Sequence, residues 1–107
     1  MSVIWHNPRC SKSRETLALI EGYAPEIRLY LQDPPNLAEL RAAAELLGSA
    51  RVLLRVKEDG APPLTASDDE VLTALAANPK LIERPLVLHQ GRAALGRPPE
   101  AVLKLFA

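Results

Sequence analysis

The chain has 107 residues, 48% hydrophobic and only 4% aromatic, which predicts one domain over residues 1–107 with a core of Leu, Val, Ile and Ala. Thirteen Lys and Arg balance thirteen Asp and Glu, so net charge gives no support to a nucleic-acid or membrane partner. The single cysteine excludes an internal disulfide and a Cys-rich metal site, and it fits a reducing compartment. Met1–Trp5 lacks the basic segment and long apolar run of a secretory leader, so the cytoplasm is the expected location.

Val3, Ile4 and Trp5 predict a first strand over Ser2–Trp5, stopped at Asn7-Pro8. From Ser11 onward, Thr16, Leu17, Ile20 and Tyr23 recur at spacings of three and four. That is a helix face, with Ser11 or Ser13 as candidate first-turn caps and Gly22 as its end. Glu26–Leu31 reads as a second strand, with Ile27, Leu29 and Leu31 on one side. After the breaker Asp33-Pro34-Pro35, a helix is predicted over Leu37–Leu47. Asn36 is its N-cap, Glu39 the capping-box partner and Gly48 the stop. Ser49–Arg55 reads as a further helical turn or two, and Lys57–Ala66 as a loop around Gly60 and Pro62-Pro63. Ser67 opens a third helix through Ala77, with Glu70 closing a second capping box and Asn78-Pro79 stopping it. Leu86-Val87-Leu88 is a buried strand, Gln90-Gly91 a hairpin turn and Arg92–Leu95 the return strand. A last helix starts at Arg97-Pro98-Pro99 and ends at Phe106. The order is β-α-β, helices, a β-hairpin and a helix, as in thioredoxin-type folds and in other small α/β folds.

Cys10 falls between a strand and a helix start, where free N–H groups and the positive end of the helix dipole favour thiolate over thiol. His6, Arg9, Lys12 and Arg14 add positive charge nearby in sequence. Position 13 is Ser, so the motif is C-x-x-S, no disulfide can form within it, and a second thiol must come from another molecule. The same helix start can bind an oxyanion, so the chemistry expected is thiolate attack on a tetrahedral oxyanion or on a disulfide sulfur. Arg55, Arg84 and Arg97 lie far away in sequence. Spacing alone leaves them open between substrate contacts and solvated surface positions.

The run His6-Asn7-Pro8-Arg9-Cys10-Ser11-Lys12-Ser13-Arg14 resembles the arsenate reductase family coupled to glutathione and glutaredoxin, which shares its fold with Spx-type regulators. Leu29-Tyr30-Leu31 with Asp33-Pro34-Pro35, Leu53-Leu54-Arg55, Leu81-Ile82-Glu83-Arg84-Pro85 and Gly96-Arg97-Pro98 continue the resemblance in order along nearly the whole chain. It implies a thioredoxin-like, glutaredoxin-type α/β fold, with a mixed four-stranded sheet flanked by helices and a helical insertion. It implies Cys10 as nucleophile, His6 as a residue that helps keep the thiol ionised, and Arg55, Arg84 and Arg97 as oxyanion ligands. Asn7, Ser13 and Pro85 then shape the loop, with Pro85 in cis beside Cys10. The implied partners are arsenate or a similar oxyanion, glutathione as co-substrate and glutaredoxin, with no bound cofactor or metal. A monomer is the expected state. Two other readings stand beside arsenate reduction: an Spx-like regulator docking on RNA polymerase, and a glutathione-dependent thiol reductase without arsenate activity. Spx-type switches use C-x-x-C, which Ser13 interrupts.

Overall fold

The computed structural model describes residues 1–107 and divides into two compact units. The first joins Met1–Asp33 to Arg84–Ala107, and the second is the intervening Pro34–Glu83. No helix is long and apolar enough to cross a membrane.

The first unit holds a four-stranded mixed sheet in the order β2-β1-β3-β4, with β1 at Ser2–Trp5, β2 at Glu26–Arg28, β3 at Leu86–His89 and β4 at Arg92–Leu95. β1 runs parallel to β2, with Ile4 opposite Ile27, and antiparallel to β3, with Ile4 opposite Val87. A parallel pair needs a crossover, and helix α1 (Ser11–Ile20) supplies it. α1 packs on a 3-10 helix, Pro99–Phe106, and Ile20, Val102 and Leu105 close over Ile4, Val87 and Ala94 of the sheet. Each fully buried side chain of this kind contributes about 1.5–3 kcal/mol. The last helix was expected from its pattern, and its 3-10 winding is the new detail.

Two expectations need correction. The second strand stops at Arg28, because the chain turns at once: the N–H groups of Gln32 and Asp33 both donate to the Leu29 carbonyl, at 3.0 and 2.8 Å. β2 is an edge strand, so its Ile27 is exposed, as are Leu29 and Leu31, while Tyr30 is buried. Neither Ser11 nor Ser13 caps α1; the N-cap is Cys10, with no side-chain cap bond.

In the second unit, α2 (Leu37–Leu47) packs on α3 (Asp68–Ala77) through Leu40, Ala43 and Ala44 and through Val71, Leu72 and Leu75, all buried. Both helices carry complete capping boxes, Asn36 with Glu39 and Ser67 with Glu70. The Arg51–Leu53 segment is a 3-10 turn. A short antiparallel bridge, Leu54 opposite Ile82, fixes the backbone after it: Arg55 N–H donates to the Leu81 carbonyl at 2.8 Å and Glu83 N–H to the Leu53 carbonyl at 2.7 Å.

Candidate active site

The loop between β1 and α1 is built by Asn7. Its carbonyl accepts the Cys10 N–H at 3.0 Å, its side-chain Oδ1 accepts the Arg9 N–H at 3.0 Å, and its own N–H donates to Ser13 Oγ at 3.0 Å. These three bonds fold residues 7–10 into a tight turn. The first helical bond follows at once, from Arg14 N–H to the Cys10 carbonyl at 3.0 Å. Cys10 thus stands at the N-cap in extended geometry (φ −96°, ψ 122°), half-buried, with its sulfur facing the open amides of the first turn.

Burial pushes the Cys10 thiol up, but four favourable interactions outweigh it. They are the Ser13 N–H, the Arg84 charge, the Lys12 N–H and the Arg97 charge, and together they hold the thiol below its ordinary pKa. Arg97 Nη2 lies 3.8 Å from Cys10 Sγ, and its Nε donates to the Arg84 carbonyl at 2.8 Å, tying the two arginine segments together. Of the cationic neighbours counted along the sequence, Arg9, Arg14 and the Lys12 side chain do not act on the thiol. Arg14 donates to the Pro8 carbonyl at 2.9 Å, and the Lys12 ammonium pairs with Glu15 at 3.7 Å.

His6 is buried, and its Nδ1 lies 2.6 Å from Ser13 Oγ. Burial, with Arg14 adding to it, holds the imidazole below its ordinary pKa, so it is neutral at pH 7. Ser13 Oγ accepts the Asn7 N–H and shares a hydrogen bond with His6 Nδ1. His6 therefore holds Ser13, and through it the amide that faces the sulfur; it contributes no positive charge to the thiol.

Arg84–Pro85 is cis, as expected, and Arg97–Pro98 is cis as well, which sequence reasoning missed. Gly96 was missed too. Its N–H donates to the Pro85 carbonyl at 2.9 Å, and a Cβ built there would lie 2.7 Å from Pro85 Cγ and overlap the Thr16 hydroxyl. Thr16 is buried on α1, and its hydroxyl donates to the Lys12 carbonyl at 2.7 Å. A side chain at position 96 would push α1 off the segment that carries Arg97. A glycine immediately before Arg97-Pro98 was the available signal.

The structure thus brings Cys10, His6, Asn7, Ser13, Arg84, Pro85 and Arg97 together in the first unit. Arg55 belongs to the second unit, where its guanidinium pairs with Glu58 at 2.7 Å. No group of three or more His, Cys, Asp or Glu side chains is placed to hold a metal ion. A depressed thiolate beside two guanidinium groups and open helix amides can attack an electrophile and hold its oxygens.

The family model described as the ArsC family matches residues 5–105. The protein YfgD of Escherichia coli K12 is 49% identical, over 95% of this chain and 93% of that one. An arsenate reductase of Neisseria meningitidis (strain Z2491) is 47% identical, over 92% of each chain. The solved structure of an arsenate reductase from Vibrio cholerae superposes with a TM-score of 0.89 at 44% identity, covering 97% of this chain and 96% of that one. The fold is therefore thioredoxin-like, as the resemblance implied.

Proposed function

The chain belongs to the ArsC family, and from that premise we propose that it is a cytoplasmic, monomeric arsenate reductase that draws its electrons from glutathione and glutaredoxin. The observation that carries this reading is the Cys10 sulfur at an open helix start, with Arg97 at 3.8 Å and the Arg84 charge acting on it. Relatives at 43–47% identity that bear the name arsenate reductase support arsenate as the substrate.

The Cys10 thiolate attacks arsenic; an S–As bond forms, and one As–O bond breaks with the oxygen leaving as water. Glutathione adds next, forming a second S–As bond with loss of a second water. The glutaredoxin thiol then attacks the glutathione sulfur. The S–S bond forms, the glutathione S–As bond breaks, and its electron pair stays on arsenic, which becomes As(III). Two thiols are thereby oxidised to one disulfide. Water displaces Cys10 from arsenic, arsenite leaves, and the thiolate is restored. The thiols carry both electrons, so no resident cofactor or metal enters the scheme.

Each residue has a role in these steps. Arg84 and Arg97 lower the thiol pKa before substrate binds, and then hold the arsenate oxygens with charge-assisted hydrogen bonds. The Lys12 and Ser13 amides stabilise the thiolate as nucleophile and again as leaving group. Asn7, Ser13 and neutral His6 fix the loop that aims those amides. For Arg55 as a third oxyanion ligand, the support is the family pattern at Leu53-Leu54-Arg55. Turnover with arsenate, glutathione and glutaredoxin tests the reading. Arsenite formation that requires all three supports it. Reduction of glutathione mixed disulfides with no arsenite formed would replace it with a plain thiol reductase.

A further inference from the structure

We propose that Thr16 is a positioning residue for Cys10: its hydroxyl aims and polarises the Lys12–Ser13 peptide group, which faces the sulfur. This rests on the reading of Cys10 as a thiolate nucleophile.

One peptide group links the two residues. Its carbonyl belongs to Lys12 and accepts the Thr16 hydroxyl proton at 2.7 Å. Its N–H belongs to Ser13 and donates to the Cys10 sulfur. The peptide group is planar and conjugated, so charge drawn onto the carbonyl oxygen makes the N–H a stronger donor. Donation therefore runs from the Thr16 O–H through the Lys12–Ser13 peptide to Sγ. It is strongest when the sulfur is the charged thiolate.

The helix does not need this hydroxyl bond. Within α1 the Lys12 carbonyl already lies opposite the N–H of Thr16, four residues on, as α-helical pairing requires. Thr16 is fully buried, where a hydroxyl is costly unless hydrogen-bonded, and threonine is a poorer helix former than alanine. An apolar side chain would fill the same place without either cost.

The surroundings hold the hydroxyl in one orientation. Its single proton goes to the Lys12 carbonyl. Its oxygen lies against Gly96, where a Cβ would overlap it. Gly96 directly precedes Arg97, whose Nη2 lies 3.8 Å from Sγ. One side chain thus sits where the first turn of α1 meets the segment that carries the guanidinium. The amide and the cation that face the sulfur are both packed against it.

The test titrates thiolate absorbance in three variants of the whole chain. Thr16→Ala and Thr16→Val remove the hydroxyl, one with a smaller side chain and one with a similar shape. Thr16→Ser keeps the hydroxyl and drops the methyl. Arg84 and Arg97, the charges that act on the sulfur, are present in all three. Thr16→Ala and Thr16→Val are expected to raise the Cys10 midpoint by about 0.2–0.7 pH unit, the size of a 20–30% change in one charge-assisted hydrogen bond. Thr16→Ser should keep the midpoint of the unsubstituted chain. A packing role predicts the reverse pattern, with Thr16→Val unmoved and Thr16→Ala and Thr16→Ser shifted together. That pattern, or an unmoved midpoint in Thr16→Ala, would overturn the proposal. The Ala and Ser variants decide between the two by themselves if valine is too large for the space beside Gly96. A hydroxyl-dependent midpoint in a chain that forms no arsenite contradicts the arsenate reading and leaves the role of Thr16 standing. A midpoint blind to the hydroxyl in a chain that does form arsenite overturns Thr16 alone.

Discussion

The three α-helices of this protein start in two different ways. α2 and α3 begin in complete capping boxes, Asn36 with Glu39 and Ser67 with Glu70, and both have acidic residues in the first turn. Their free amides are satisfied by the chain itself. α1 begins at Cys10 with no side-chain cap and no acidic residue in its first turn. Its Lys12 and Ser13 amides face the Cys10 sulfur, and the charges of Arg84 and Arg97 act on that sulfur in place of a capping side chain. The difference shows which helix start serves stability and which is left open for chemistry. A helix start that forgoes its cap loses about 0.5–2 kcal/mol, a cost consistent with a functional site.

Exchanging the two designs should produce the largest effect. Cys10→Asp gives α1 the cap it lacks, with a carboxylate placed toward Arg84 and Arg97. Thermal or urea unfolding should show a gain of about 0.5–2 kcal/mol, while arsenate turnover falls to background. A destabilised Cys10→Asp chain would break the comparison, because it would mean the α1 start is not short of a cap.

Loss of the arginines comes next. Arg84→Ala or Arg97→Ala should each weaken sulfate or arsenate binding by about ten- to a hundredfold, the loss of a charge-assisted bond of roughly 1.5–3 kcal/mol. Calorimetry reads this directly. Unchanged affinity in both variants would remove the oxyanion from this site. Arg55→Ala tests the family assignment in the same assay, and its Glu58 partner makes Glu58→Gln the matching control.

Gly96→Ala should act on packing and chemistry together. The added methyl meets Pro85 and Thr16, which predicts about 1–3 kcal/mol of destabilisation and a raised Cys10 pKa as Arg97 is displaced. Asn36→Ala, by contrast, should lower stability by about 0.5–2 kcal/mol and leave the Cys10 pKa unmoved.

The smallest effect concerns His6. Its folded pKa lies below the ordinary histidine value, so the unfolded chain binds the proton first as pH falls. His6 therefore leaves stability intact above about pH 6.5 and erodes it as pH drops from there toward the folded pKa. In His6→Gln, that slope in urea-unfolding stability against pH should disappear. Persistence of the full slope would place the titration elsewhere.

Both capping boxes were legible because a cap is a local pattern: the residue that accepts and the residue that returns the bond lie three apart in sequence. The Cys10 loop was legible for the same reason, from Asn7-Pro8 and the switch of period after it. What escaped depends on distance. The alternation of Ile27, Leu29 and Leu31 suggested a longer strand, but β2 lies at the sheet edge, where only one neighbour holds it, and the turn onto Leu29 ended it early. Ser13 looked like a cap and is instead buried against His6 and Asn7, which no linear spacing reveals. The charges on the thiol were sought among His6, Arg9, Lys12 and Arg14, whereas those that act come from Arg84 and Arg97, more than seventy residues away along the chain. The family resemblance supplied those two arginines where composition and period did not. Gly96 makes their approach possible, and its importance is visible only once Thr16 and Pro85 are seen on either side of it.

The central claim is that the open start of α1, with Arg84 and Arg97, holds the Cys10 thiol below its ordinary pKa and so favours the thiolate. Because the chain has one cysteine, thiolate absorbance titrated against pH reads this site alone. The account predicts a midpoint below the ordinary thiol value of about 8.5, rising in Arg84→Ala and again in the Arg84→Ala, Arg97→Ala double variant. A midpoint at or above about 8.5, indifferent to both arginines, would contradict it.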